Sequence, residues 1–324
     1  MKRFLLWLLA ILVVVVMGIV LAFRFSPWPS VAVIQYVFSK GDKASSDALI
    51  KHVPPGISAE LDIAYGPGPD ERLDVFHRED ATGPQPTVVW VHGGGFVAGD
   101  KEAVANYLKI IADAGYTTVN IEYSTGYGSV YPRPIEQLNA ALAFIEANAA
   151  ELKVDAQRLV LAGDSAGAQI ASQMTLLITD PDYAGKMEML PMIDPEQLRG
   201  TVLVSGAFDM QSARTDNWFM NTVLWAYSGV RDFMTDPRFM LASIPQNVSA
   251  SFPPTFITSG NGDPLKEHAE ALVTALEAAG VPTDVLFFPD DYEPPLPHEY
   301  QFNLDIPAGQ EALARTLAFL RSRV

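Results

Sequence analysis

Residues 159–177 read Leu159-Val160-Leu161-Ala162-Gly163-Asp164-Ser165-Ala166-Gly167-Ala168-Gln169-Ile170-Ala171-Ser172-Gln173-Met174-Thr175-Leu176-Leu177. Leu159 to Ala162 is a short apolar run with the character of a buried strand, and from Gln169 onward the apolar residues fall at helical spacing. Between them lies Gly163-x-Ser165-x-Gly167, so the order is strand, sharp turn, helix. That order is the setting of a nucleophile elbow, where a strained backbone lifts the serine hydroxyl clear of a sheet. The flanking glycines remove Cβ atoms that would collide as strand and helix approach. The pentapeptide alone is weak: at ordinary Gly and Ser frequencies it arises by chance in roughly one chain in ten of this length.

A second stretch strengthens it. Pro86-Thr87-Val88-Val89-Trp90-Val91 reads as another buried strand and runs into His92-Gly93-Gly94-Gly95-Phe96. Three glycines after a strand free several backbone N–H groups to converge on one point, which is what an oxyanion hole requires. A flexible turn is the competing reading, and the elbow downstream weighs against it.

In combination, His92-Gly93-Gly94-Gly95 and Gly163-Asp164-Ser165-Ala166-Gly167 resemble the hormone-sensitive-lipase-like branch of the α/β-hydrolase superfamily. That branch contains serine carboxylesterases, lipases and some related amidases. The resemblance runs from about Leu61 to the C-terminus. It implies an α/β-hydrolase fold, with a mostly parallel, doubly wound sheet and a helical cap, and needs neither a metal nor an organic cofactor. Two stretches depart from the family pattern. The loop Ser124-Thr125-Gly126-Tyr127-Gly128-Ser129-Val130 lacks the usual arginine, and Ala168 stands where many relatives have glycine.

Outward from the elbow the chain alternates between the two periodicities. Glu60–Tyr65 and Arg72–Phe76 read as a hairpin around Gly66-Pro67-Gly68-Pro69-Asp70. Lys101–Ala114 has helical spacing closed by Gly115, Thr117–Tyr123 reads as a strand, and a helix runs from about Ile135 to Ala149. Thr201–Ser205, Pro254–Gly260 and Thr283–Phe288 read as further strands, with helices over Lys266–Ala279 and about Ala308–Leu320. Strands and helices alternating at this spacing indicate a mostly parallel sheet. Met210 to Pro253 has no clear strand and many large apolar residues, Trp218, Phe219 and Trp225 among them. An insertion here, at about 207–253, is expected to cover the carboxyl edge of the sheet as a lid over an acyl pocket. Ordinary helix packing is the alternative for any one of these residues.

A serine hydroxyl needs a base, and the base a carboxylate that fixes its tautomer. The superfamily order is Ser, acid, His. Of the five histidines, His52, His77 and His92 precede Ser165 and His268 lies in an expected helix. His298, between the last strand and the last helix, fits the order. Asp263, in Gly262-Asp263-Pro264-Leu265, resembles the family's acid motif. Asp290, Asp291 and Glu293 are rivals that sit too near His298 and look like a solvated loop. The expected catalytic set is therefore Ser165, Asp263 and His298, with Gly94, Gly95 and Ala166 as oxyanion donors. His92 is expected to hydrogen-bond within its loop, and His298-Glu299 is not a zinc helix.

Composition bounds the rest. The 324-residue chain has a net charge of −16 and a pI near 4.6, which excludes nucleic acid as a natural partner and favours neutral or cationic substrates. With no cysteine there is no disulfide, thiolate metal site or cysteine nucleophile. Phe4 to Phe23 is unbroken apolar sequence, enough to cross roughly 30 Å of hydrocarbon as a helix. Lys2 and Arg3 precede it, and the exit Val20-Leu21-Ala22-Phe23-Arg24-Phe25 offers no good small-x-small cleavage site. The reading is an uncleaved signal-anchor over residues 1–25, with the catalytic domain outside the cytoplasm; secretion after cleavage is the alternative. Ser26-Pro27-Trp28-Pro29 is read as an interfacial stop. Val31–Phe38 and Ala44–Val53 are read as short amphipathic pieces, either of a cap or of a membrane surface. The expected organisation is anchor 1–25, linker and cap helices 26–58, and hydrolase domain 59–324. The expected function is hydrolysis of a small-molecule carboxylic ester through an acyl-enzyme. Its rivals are an amidase or arylformamidase on the same scaffold, and a catalytically silent, membrane-tethered binding module.

Overall fold

The computed structural model of the protein describes residues 2–213 and 217–324. Residues 214–216 of the expected cap insertion lie outside the described residues. The chain opens with two helices, α1 (Lys2–Phe25) and α2 (Trp28–Leu49). The strands β1 (Ile57–Ala64) and β2 (Arg72–Arg78) follow as an antiparallel hairpin. The body then runs β3 (Gln85–Val91), α3 (Glu102–Asp113), β4 (Thr117–Ile121), α4 (Arg133–Ala147), β5 (Val154–Asp164), α5 (Ser165–Thr179) and α6 (Pro181–Met187). It ends with β6 (Leu198–Val204), α7 (Trp218–Ser228), β7 (Thr255–Ser259), α8 (Lys266–Ala278), β8 (Thr283–Phe287) and α9 (Pro307–Arg323).

Among the described residues these strands form one eight-stranded sheet in the order β1-β2-β4-β3-β5-β6-β7-β8. β2 runs antiparallel to both its neighbours, and every pairing from β4 through β3 to β8 is parallel. The fold is that of an α/β hydrolase. Strand alternation divides the core in two. Trp90, Val160, Ala162, Val202 and Phe256 pack beneath α3 and α9. Val89, Val91, Leu161, Leu203 and Ile257 point the other way, toward α4, α5 and α8. Covered on both faces, these strands read as continuous apolar runs.

The sheet order also places the site. β3 has β4 on one side and β5 on the other, so the winding reverses there, and ligands bind beyond the carboxyl ends of strands at such a switch point. In register, Val91 of β3 pairs with Gly163 of β5. The glycine run and the elbow therefore leave the sheet side by side.

The N-terminal region departs from expectation. Residues 28–49, read as an interfacial stop and two separate short pieces, form one helix, followed by a single 3-10 turn at Ile50–His52. Pro29 sits in the first turn, where a missing N–H costs nothing. Gly41 in mid-helix costs about 1 kcal/mol in propensity. Packing of α2 against α3 and α7 offsets that cost, burying Val31, Ile34 and Leu49. α1 carries no buried residue, and its length and mean hydropathy of 3.2 suffice to cross a membrane. The segment from Met210 to Pro253 holds α7 and two 3-10 turns, Phe233–Thr235 and Phe239–Ala242, and no strand among the described residues.

Candidate active site

The elbow forms because the backbone leaves no alternative. β5 ends at Asp164 and α5 begins at Ser165, whose φ of +50° lies in the left-handed region. Gly167 packs so closely under β3 that a Cβ there would stand 2.1 Å from the Val91 carbonyl oxygen. No other residue fits. Upstream, Gly94 has φ +114°, and a Cβ on it would meet the Ala98 carbonyl oxygen at 2.0 Å. The Gly94 carbonyl accepts from Val97 N and Ala98 N, which turns the loop so that Gly94 and Gly95 border the same cavity as Ser165 and Ala166. Ala166 lies at the N-terminus of α5, where amide groups lack helical partners and the dipole favours negative charge.

His298 and Asp263 reach this point from the far end of the chain. His298 Nε2 lies 3.0 Å from Ser165 Oγ, and its Nδ1 lies 2.9 Å from Asp263 Oδ1. Asp263 follows β7; its Oδ1 also accepts from Leu265 N (2.8 Å) and its Oδ2 from Ser259 Oγ (3.0 Å). Burial works against its charge, but hydrogen bonds from His298 and the Leu265 amide hold the carboxyl below its ordinary value. For His298 burial also disfavours charge. Glu299 first, and then Asp263, outweigh it and push the imidazole up to about 9.

The other histidines stand apart from this chain of hydrogen bonds. His52 Nε2 meets Asp305 at the surface, and His77 Nδ1 bonds the Arg78 carbonyl. His92 is buried in its loop, its Nδ1 2.7 Å from the Gly93 carbonyl and its ring stacked on Tyr123. His268 accepts from Asp209 N through Nδ1 and borders the cavity, and burial lowers its pKa. Asp290 pairs with Lys266 on the surface.

Sequence reasoning missed a carboxyl pair beneath the serine. Asp164 is wholly buried, accepts from Trp90 Nε1 (2.7 Å) and Gly93 N (2.8 Å), and hydrogen-bonds Glu299. Burial first, then the neighbouring Glu299, raises the Asp164 carboxyl well above the carboxylate range. Glu299 Oε1 is also 3.6 Å from His298 Nε2. Glu299 takes a left-handed backbone (φ +58°), and its amide donates to Ser205 Oγ. The sequence carried one signal for this pair, the acidic residues immediately beside Ser165 and His298. Their meeting across the fold was not readable.

Above these groups lies a cavity of about 900 Å³. Its walls include Phe38 of α2, Phe96, Phe219, Met220 and Val223 of the α7 region, and Leu265. A Cβ on Gly95 would touch Phe219, Val223 and Phe38, so α2 and α7 both close down onto the glycine loop. Asp42 of α2 also borders the cavity. Burial, followed by repulsion from Asp100 and Asp164, pushes its carboxyl up to about 6.

A strained serine between a parallel strand and its helix, with acid and histidine arriving in that chain order, defines the α/β-hydrolase class. A family model of the alpha/beta hydrolase fold matches residues 88–292. Over 242 residues the chain is 31% identical to the carboxylesterase NlhH of Mycobacterium tuberculosis, covering 73% of each. It is 27% identical to an acetyl esterase of Salmonella paratyphi B over 64% of this chain and 65% of that one. Among solved structures, esterase B from Lactobacillus rhamnosis superposes with a TM-score of 0.78 at 19% identity, over 91% of this chain and 95% of the other. The chain belongs to the α/β-hydrolase family, in its hormone-sensitive-lipase-like esterase branch.

Proposed function

We propose that the protein hydrolyses carboxylic esters by double displacement, with Ser165 as nucleophile. The observation that carries this reading is the unbroken sequence of hydrogen-bond contacts from Ser165 Oγ through His298 to Asp263 at 3.0 and 2.9 Å. Relatives named carboxylesterase and acetyl esterase support ester over amide as the scissile bond.

In the first half-reaction Oγ attacks the carbonyl carbon while its proton passes to His298 Nε2. The N–H groups of Gly94, Gly95 and Ala166 receive the negative oxygen, each such donor being worth roughly 3–4 kcal/mol where measured. Asp263 holds Nδ1–H and stabilises the imidazolium. Collapse of the tetrahedral intermediate expels the alcohol, which takes the proton from Nε2 and leaves an acyl group on Oγ. Water then enters, gives a proton to His298 and attacks the acyl carbon, and the carboxylic acid departs as Oγ recovers its proton. The apolar walls suit a neutral acyl chain. Residues 59–324 act as the hydrolase domain, with residues 207–253 and α2 as its cap. α1 acts as a membrane anchor, and Lys2 and Arg3 keep its start in the cytoplasm.

A fluorophosphonate probe tests the central step. It is expected to label Ser165, located by mass measurement of the modified peptide, and to leave a Ser165→Ala variant untouched. Labelling at another serine, or none in the folded protein, would refute the assignment.

A further inference from the structure

α2 has two different faces. One is buried: Val31, Ile34 and Leu49 enter the core, and Gln35 Nε2 donates to the Val97 carbonyl. The other presents Val33, Tyr36 and Val37 to solvent, Tyr36 being 63% exposed. Lys40 continues the same stripe, its ammonium 2.7 Å from Tyr36 Oη, and Lys43 follows, paired with Asp47. An apolar, aromatic strip bordered by lysines is the composition of a helix lying in a membrane interface.

Two further segments meet the junction of α1 and α2, one at Trp28 and one at Arg24. Tyr127, 85% exposed, packs edge-on against Trp28 with ring centroids 5.0 Å apart. Arg231 Nη1 donates to the Arg24 carbonyl at 3.1 Å, and its guanidinium lies over the Trp225 ring. The exposed Val230 stands beside it. The glycine-rich loop around Tyr127 is the one that departs from the family pattern. In a chain of net charge −16, these exposed pieces carry Arg24, Lys40, Lys43 and Arg231, with Asp47 answering Lys43, an excess of cations that complements anionic headgroups. α2 is also a wall of the catalytic cavity through Phe38 and Asp42.

We propose that the outer face of α2, the Tyr127 loop and the Val230–Arg231 turn rest on an anionic bilayer surface, so that the cavity draws esters dissolved in that bilayer. The proposal rests on α1 being a membrane anchor. Because the chain has no cysteine, single substitutions can carry an environment-sensitive fluorophore without background. The full chain would be reconstituted in phosphatidylcholine vesicles containing phosphatidylglycerol, with probes at Leu12→Cys, Tyr36→Cys, Tyr127→Cys and Arg321→Cys. The last lies near the end of α9, where Phe319 packs on Gly200 at the amino end of β6, opposite the carboxyl edge at which α2 walls the cavity. Hydrolysis of soluble p-nitrophenyl acetate checks that each variant is folded. A spin-labelled lipid is expected to quench the probes at 12, 36 and 127 several-fold more than the probe at 321. Quenching at 12 alone would overturn the proposal and leave the anchor standing. No quenching at 12 would remove the anchor and the proposal with it. A Tyr36→Glu, Tyr127→Glu double variant should lose about fivefold or more on a long-chain ester held in the vesicles relative to p-nitrophenyl acetate. An equal rate ratio to the parent would overturn the substrate route.

Discussion

The elbow at residues 163–167 and the loop at residues 296–300 position the proposed nucleophile and the proposed base by different means. Both hold a non-glycine residue at positive φ, Ser165 at +50° and Glu299 at +58°. The elbow is held by backbone contact: β5 beside β3, and Gly167 against the Val91 carbonyl. The histidine loop is held by side chains drawn from three other places, Asp263 after β7, Ser205 after β6 and Asp164 at the elbow. Ser165 is thus placed by steric exclusion over a few neighbouring residues, and His298 by hydrogen bonds and charge reaching across the sheet. Damage to the first should appear in folding. Damage to the second should appear in rate and pH dependence.

Removing the nucleophile is expected to have the largest effect on rate. Ser165→Ala should lower kcat on p-nitrophenyl acetate by about 10⁶-fold, the scale found when one member of such a unit is lost. Its melting temperature should stay close to the parent's, since only the hydroxyl is removed. Asp263→Asn should follow, with kcat down about 10⁴-fold because the amide favours the wrong imidazole tautomer. Combined with Ser165→Ala it should add almost nothing, and full additivity would mean that the two do not act as one unit.

Gly167→Ala breaks the other side of the comparison. Its Cβ would enter the space of the Val91 and His92 carbonyls, with an expected loss of more than about 4 kcal/mol in denaturant unfolding. A stable, active alanine variant would show that the elbow is not held by this contact.

The smallest and most diagnostic effect is expected at Glu299. Only neutral His298 can accept a proton, so kcat/KM should rise with pH through the imidazole pKa, placed near 9. Glu299 is the leading influence raising that value. Glu299→Gln removes the negative charge, lowers the His298 pKa and moves the acid limb to lower pH. An unmoved limb would show that Glu299 does not act on the base.

Legibility follows the same division. Gly163-x-Ser165-x-Gly167 and His92-Gly93-Gly94-Gly95 were readable because each is a local backbone device with a strand before it. His298 and Asp263 were expected from the chain order and acid motif that the family resemblance implies, and the structure sets His298 within hydrogen-bond distance of both Asp263 and Ser165. The continuity of α2 was not readable, because Pro29 and Gly41 look like breakers until α3 and α7 pack against the helix. Nor was α6, whose start rests on Asp180 accepting from Asp182 N and Tyr183 N.

By itself the sequence determined the alternation of strand and helix, the elbow and the glycine loop. These follow from apolar period and from steric limits among near neighbours. Only the tertiary structure decided that Asp164 and Glu299 meet beside His298, that Ser205 braces the histidine loop, and that α2 folds over the cavity as its wall. Those arrangements depend on burial and on charges far apart in the chain, and a one-dimensional pattern encodes neither distance nor dielectric.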